Sequence, residues 1–408
     1  MKILQINTTY RTGGSTGKIM FELAQIIKEH NEQSYCAFGY EFKPTNDENT
    51  YKIESILQLK FSILQTRLFG EHGFYNQGTT KKLLKWIDEV KPDVIHLHNL
   101  HNHYLNLELL FRYIKDRKIP VVWTLHDCWS FTGWCAYFDY ARCDQWKSGC
   151  HHCPCLKDYP KTWFFDRSEK NYKRKKELLT GIEKMHLVTP SQWLADLTRE
   201  SFLKGYPVSV INNGIDLKIF SAQNDEVNID KYIPSDEKRK VLLGVASSWS
   251  RRKGLNDFLK LNEQINHDKY VIVLVGLKQE QLKAIPDTIR KVLRTENVNE
   301  LAELYRKADV FLNLTWEDNY PTTNLEAQAC GTPVISYQTG GSSESIVSGV
   351  TGEIVPAGNM AQLMAQIDKV CGNREAYSLA AERHAHSNFD KHSLFEKYID
   401  IYRRLLEA

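Results

Sequence analysis

Two carboxylates eight residues apart, Asp318 and Glu326, bracket a polar turn that leads into a run of small residues. Asp318-Asn319-Tyr320-Pro321 is a strong loop signal, Thr322 to Ala329 fits the first turns of a helix, and Cys330-Gly331-Thr332-Pro333 stops it before an apolar strand. A helix start leaves backbone N–H groups open to an anionic oxygen, and Thr322 and Thr323 add hydroxyls there. Glu326, about one turn in, is placed to accept hydrogen bonds from vicinal hydroxyls such as those of a ribose. Asp318 then meets the other end of the same ligand, with Asn319 and Asn324 completing the set. That chemistry suits a sugar nucleotide. A capped helix bearing two solvated acids fits the bare pattern equally well.

Three further turns carry polar chemistry. Thr12-Gly13-Gly14-Ser15-Thr16-Gly17-Lys18 joins a strand to a helical run, where Gly13 and Gly14 let backbone approach a diphosphate. It is not a P-loop, because the glycine spacing is wrong and Ile19 stands where a magnesium-binding hydroxyl is needed. Ser250-Arg251-Arg252-Lys253-Gly254 is a cationic turn opening another helix, suited to a diphosphate leaving group that gains charge as its bond breaks. Thr124-Leu125-His126-Asp127 ends a strand, and the neutral imidazole of His126 can donate or accept one hydrogen bond. His96 and His98 share a strand face without an evident third metal ligand; with His101 and His103 they read as polar lining on the acceptor side.

Six of the nine cysteines fall within residues 123–160. Four of them, Cys135, Cys143, Cys150 and Cys153, include a Cys-x2-Cys turn, which leaves three readings open: structural zinc, free buried thiols, or disulfides.

The segment ending LEAQACGTPVI resembles the E-x7-E region of retaining GT-B glycosyltransferases of family 4, and the resemblance runs over nearly the whole chain. It implies two facing Rossmann-like domains of an α/β protein: an N-terminal acceptor-side domain at 1–215 with a Cys-rich insertion at 128–155, a donor domain at 216–386, and a terminal helix at 387–408 packing back on the first. It also implies roles: Arg252 and Lys253 on the diphosphate, Glu326 on the ribose, His126 at the reacting sugar, and Asn213 with Gly214 of the "INNGID" turn near the donor. The family's first acid is usually Glu; here that register holds Asp318, with Glu317 beside it, so either acid can meet the sugar. Ser247 and Ser248 stand where many members carry an arginine, and Arg251 is the local substitute. The stretches "WTLHD", "TGWC" and "GCHHCPCLKDYP" resemble the enzymes of colanic acid, capsule and O-antigen assembly. That implies a UDP- or GDP-sugar donor, no cofactor for catalysis, and an oligosaccharide or lipid-linked acceptor. The rivals are a GT-B epimerase or phosphorylase, and a non-catalytic sugar-nucleotide-binding protein.

Strand-like apolar runs alternate with amphipathic helical stretches in both halves, as parallel α/β layers require. Asn212–Asp236, polar and weakly patterned, reads as the linker. The chain has 408 residues, 42% of them hydrophobic, and a net charge of +3, too small for a nucleic-acid binder. The opening MKILQINTTY lacks the pattern of a signal peptide and no apolar run is long enough to span a bilayer, so the expected location is cytoplasmic. Lys170–Lys176, with five cations in seven residues, is a candidate contact for an anionic membrane.

Overall fold

The computed structural model describes residues 1–11, 15–40 and 47–407. The Gly13-Gly14 turn lies outside them. The chain divides into two compact units, Met1–Ile211 with Phe395–Ala408, and Asn212–Leu394.

The first unit is built on β1 (Lys2–Asn7), β2 (Gln33–Phe38), β3 (Thr50–Lys52), β4 (Val94–Leu97), β5 (Val121–Thr124), β6 (Met185–Thr189) and β7 (Val208–Val210). The second uses β8 (Lys240–Val245), β9 (Tyr270–Val275), β10 (Ile289–Val292), β11 (Val310–Asn313), β12 (Val334–Tyr337) and β13 (Gly352–Val355). Spatial orders are β3-β2-β1-β4-β5-β6-β7 and β10-β9-β8-β11-β12-β13, with the paired strands parallel. Central strands such as β9 are buried at every position, which is why they read as unbroken apolar runs. The edge strands β3 and β10 carry polar and charged residues, and the apolar pattern alone does not reveal them.

In chain order the helices are α1 (Ser15–Glu29), α2 (Ile56–Phe69), α3 (Gln77–Val90), α4 (Leu107–Arg117), α5 (Ser168–Leu179) and α6 (Gln192–Glu200). The second unit continues with α7 (Leu255–Gln264), α8 (Val298–Lys307), α9 (Thr322–Ala329), α10 (Met360–Gly372), α11 (Arg374–Asn388) and α12 (Lys391–Glu407). The expected terminal helix at 387–408 begins only at Lys391, because Ser387 and Asn388 close α11 and Phe389-Asp390 break the two apart. From Phe395 on, α12 belongs to the first unit, where Tyr402 Oη lies 2.6 Å from His96 Nδ1 and Tyr398 donates to Thr124 Oγ1 at 3.1 Å.

Asn212–Asp236, read as the linker, belongs to the second unit: Ile215, Phe220, Ile229 and Ile233 are buried in its core. Two expectations need correction. The Lys170–Lys176 run is largely engaged and leaves Lys176 exposed, so it is not one free cationic face. Lys170 and Arg174 pair with Glu71, Lys173 with Glu169, and Lys175 is buried, donating to the carbonyls of Trp129 at 2.6 Å and Thr132 at 3.1 Å. Burial of Lys175 pulls its pKa down to about 7.

The second concerns zinc. Among the described residues no group of three or more His, Cys, Asp or Glu is placed to hold a metal ion, and Cys135, Cys143, Cys150 and Cys153 are free thiols. Cys150 Sγ instead accepts from Gly133 N at 3.2 Å, and burial raises its pKa to about 12. Cys135 hydrogen-bonds to Cys153 and Cys155, which holds it protonated. These thiols pack with Trp129, Phe131 and Trp146 in the core of the first unit.

Candidate active site

In open parallel sheets, ligands bind beyond the carboxyl ends of the strands where the strand order reverses. In the second unit that point lies between β8 and β11, and the loops leaving these strands are the basic turn and the acidic loop. Gly254 lets them meet: its φ is +76°, and a Cβ there would lie 2.0 Å from Leu314 O. Hydrogen bonds then stitch the two loops together, with Trp316 N donating to Arg252 O at 2.8 Å and the Arg252 side chain donating from Nη1 to Glu317 O at 2.5 Å. The result sets two cations against the acidic loop.

Lys253 Nζ pairs with Asp318 Oδ2. Burial alone raises the Asp318 pKa, but Lys253 and Arg252 outweigh it and hold the carboxyl below the usual range. Asn319 N donates to Asp318 Oδ1 at 3.0 Å, fixing the second oxygen. Asn213 is drawn to the same loop, donating from Nδ2 to Tyr320 O at 2.9 Å. Glu317 is buried, whereas Asp318 keeps partial exposure.

Helix α9 follows directly. Pro321 at its N-cap offers no side-chain acceptor, and Thr322, Thr323 and Glu326 are its half-buried positions. Glu326 Oε2 accepts from the buried Tyr305 hydroxyl of α8 at 3.0 Å, which orients the carboxylate. Asn324 is fully buried; its amide donates to Ser342 O at 2.8 Å and accepts from Asn313 Nδ2 at 2.7 Å, so it anchors the helix.

The first unit gathers its histidines at the ends of β4 and β5. Gln5 Nε2 donates to Met20 O at 3.1 Å, so Gln5 Oε1 faces His98 Nε2, 3.1 Å away, and must accept. His98 Nε2 therefore carries the proton and its Nδ1 accepts from His126 Nε2 at 3.2 Å. This chain makes His126 the Nε2–H tautomer with Nδ1 as its acceptor. Burial holds His126 at about 4 and His98 well below the usual value, so both rings are neutral near pH 7. His96 spends both nitrogens on Tyr402 and Thr124 and serves the scaffold. His101 bridges Asp127 Oδ2 at 2.8 Å and the Tyr159 hydroxyl at 2.9 Å.

Sequence reasoning singled out the acid, cation and His126 positions. It missed Gln5 and Tyr305, which lie far away in the chain and belong to no local motif, and the role of Tyr159 within the GCHHCPCLKDYP stretch. The pairing of His96 with His98 on one strand was the only sequence signal that His126 has ring neighbours.

A family model described as Glycosyl transferases group 1 matches residues 225–385, and one described as Glycosyltransferase Family 4 matches residues 62–219. Over 99% of its length the chain is 27% identical to a protein described as a colanic acid biosynthesis glycosyl transferase, WcaC, of Escherichia coli K12, which it covers completely. Among solved structures it resembles sucrose-phosphate synthase from Thermosynechococcus elongatus, with a TM-score of 0.72 at 15% identity, covering 100% of this chain and 99% of the other. Anabaena HepE in complex with UDP-glucose superposes with a TM-score of 0.67 at 16% identity, covering 99% and 100%.

Proposed function

We propose that this chain, which has the GT-B fold, is a glycosyltransferase that moves a sugar from a nucleotide-sugar donor to a growing surface polysaccharide, with retention at the anomeric carbon. The observation that carries the reading is the meeting of Lys253 with Asp318, and of Arg252 with the Glu317 carbonyl beside it, at the strand-order reversal of the second unit. HepE binding of UDP-glucose and the description of WcaC support the donor class and the polysaccharide. The same reading makes the acceptor lipid-linked and brings the enzyme to the inner face of an anionic membrane.

In this mechanism Arg252 and Lys253 hold the donor diphosphate, the first-turn N–H groups of α9 with Thr322 and Thr323 take its oxygens, and Glu326 holds the ribose. Donor binding exchanges the Lys253–Asp318 pair for two others: Lys253 to diphosphate, and Asp318 or Glu317 to the sugar hydroxyls. Asn213 and Asn319 complete the donor contacts, while Asn324 holds α9 in place. The acceptor oxygen bonds to C1 as the bond from C1 to the diphosphate oxygen breaks, and the acceptor proton passes to that departing oxygen. Negative charge grows on the diphosphate during this step, so the two cations stabilise the transition state more than the ground state. His126, neutral, lines the reacting sugar.

Saturation-transfer NMR and thermal shift with UDP, GDP and their sugars test the reading. One nucleotide class should bind with an upward shift in Tm. A folded sample that binds none of them sinks the proposal, and an inverted anomeric product removes the retaining step.

A further inference from the structure

Helix α2 is inside out. Its fully buried positions are polar: Ser62 donates to Gln58 O at 3.0 Å, and Thr66 Oγ1 lies 2.9 Å from His103 Nδ1. Its exposed positions are apolar, with Leu57 79%, Phe61 61% and Leu64 43% accessible. Beside it, residues 159–167 project Trp163, Phe164 and Phe165, of which Phe164 is 71% exposed. The two segments are tied together, since Trp163 N donates to Arg67 O at 2.8 Å and the Arg67 guanidinium lies over the Trp163 ring at 5.6 Å. A face this apolar on a protein surface marks a binding site.

The charges on the face identify the occupant. Helix α2 carries Lys60 and Arg67 and no acidic residue, and the neighbouring loop adds exposed Lys157, Lys161 and Arg167. Two acids lie there, the exposed Asp158 and Asp166, which accepts from Cys153 N at 2.8 Å and Ser168 N at 2.9 Å, so the cations remain in excess. None of these five cations forms an ion pair among the described residues, in contrast to Lys170, Lys173 and Arg174. Protruding leucine, phenylalanine and tryptophan interleaved with unpaired lysine and arginine match the acyl boundary and phosphate layer of a bilayer surface.

We propose that α2 and residues 159–167 dock the first unit on an anionic lipid bilayer. The proposal deepens the lipid-linked acceptor reading and rests on it for its purpose, though bilayer binding itself is separable from transfer. Tyr159 opens the docking loop and hydrogen-bonds His101, so the loop that meets the lipid is joined to the histidine network. A saccharide carried on a membrane lipid is thereby delivered to the acceptor side.

Flotation of the full chain with phosphatidylethanolamine vesicles containing a minority of phosphatidylglycerol, against phosphatidylcholine vesicles, tests this. The protein should float with the former only. Leu57→Glu combined with Phe164→Glu should weaken binding at least about tenfold with Tm unchanged, and Lys60→Glu with Lys161→Glu should do so most strongly at low salt. Glu326→Ala should float like the parent, so failure of the docking surface and failure of the transferase reading are distinguishable. The proposal is overturned if the parent stays unbound, if the apolar variant floats as well, or if Lys173→Glu abolishes flotation. It is also overturned if sedimentation reveals a dimer that Leu57→Glu dissociates, which makes the face a contact between copies.

Discussion

The histidine end of the first unit and the carboxylate end of the second solve one problem in opposite ways. Both place polar groups where water is scarce. In the first unit burial removes charge from most of the rings: His72, His96, His98, His103 and His126 all have pKa values lowered chiefly by burial, and His98 and His126 share a neutral hydrogen bond, while Asp127 on His101 keeps its charge. The second keeps charge and pairs it, Lys253 with Asp318. A neutral network is fixed by its tautomers, while an ion pair can exchange one partner for another of the same sign. The exchangeable site is the one that fits a charged donor.

Acid should break the comparison most strongly. For His96, near 3, and His126, near 4, the unfolded chain binds protons below about pH 6.5 while the folded one does not, so stability falls as pH falls. Each such group removes about 1.4 kcal/mol per pH unit over that window. Hydrogen exchange between pH 7 and 4.5 should show Met1–Ile211 opening well before Asn212–Leu394. Equal loss in both units contradicts the contrast.

Next in size is Lys253→Ala, which should lower kcat/KM by roughly a thousandfold while moving Tm by only a few degrees. Glu326→Ala should follow it. A variant that keeps transfer separates the ion pair from catalysis.

Glu54 sharpens the comparison from the alkaline side. It is buried in the first unit with neither carboxylate oxygen partnered among the described residues, and burial raises its pKa to about 8. Here the folded state holds the proton, so stability is complete below about pH 4.5 and declines as pH rises toward 8. With part of the burial relaxed by water, the decline is about 2 kcal/mol. Glu54→Gln should flatten the Tm profile between pH 5 and 8; an unchanged slope assigns it to other groups.

The smallest effect should come from Asp318→Glu, which restores the acid usual in resembling enzymes. Lys253 is long enough to follow the carboxylate by one methylene, so kcat should stay within about fivefold. Asp318→Ala, which leaves Lys253 without its partner, should be far worse in the same assay.

How much of this the sequence reveals depends on distance along the chain. Strands β1 and β9 and the E-x7-E loop and helix are legible because the spacing of nearby residues dictates them. Tyr305 on Glu326 and Gln5 behind His98 are not, since each partner comes from another element and its residue type is unremarkable. Lys175 looked like one more solvated cation, yet the carbonyls of Trp129 and Thr132 bury it. Helix α2 misleads for a different reason: its apolar residues point away from the core.

The terminal helix has a consequence for biosynthesis. Tyr398 and Tyr402 supply hydroxyls to Thr124 and His96, which lie 274 and 306 residues upstream. Until those tyrosines emerge from the ribosome, two buried polar side chains in the first unit lack their partners, so the unit made first is the one completed last.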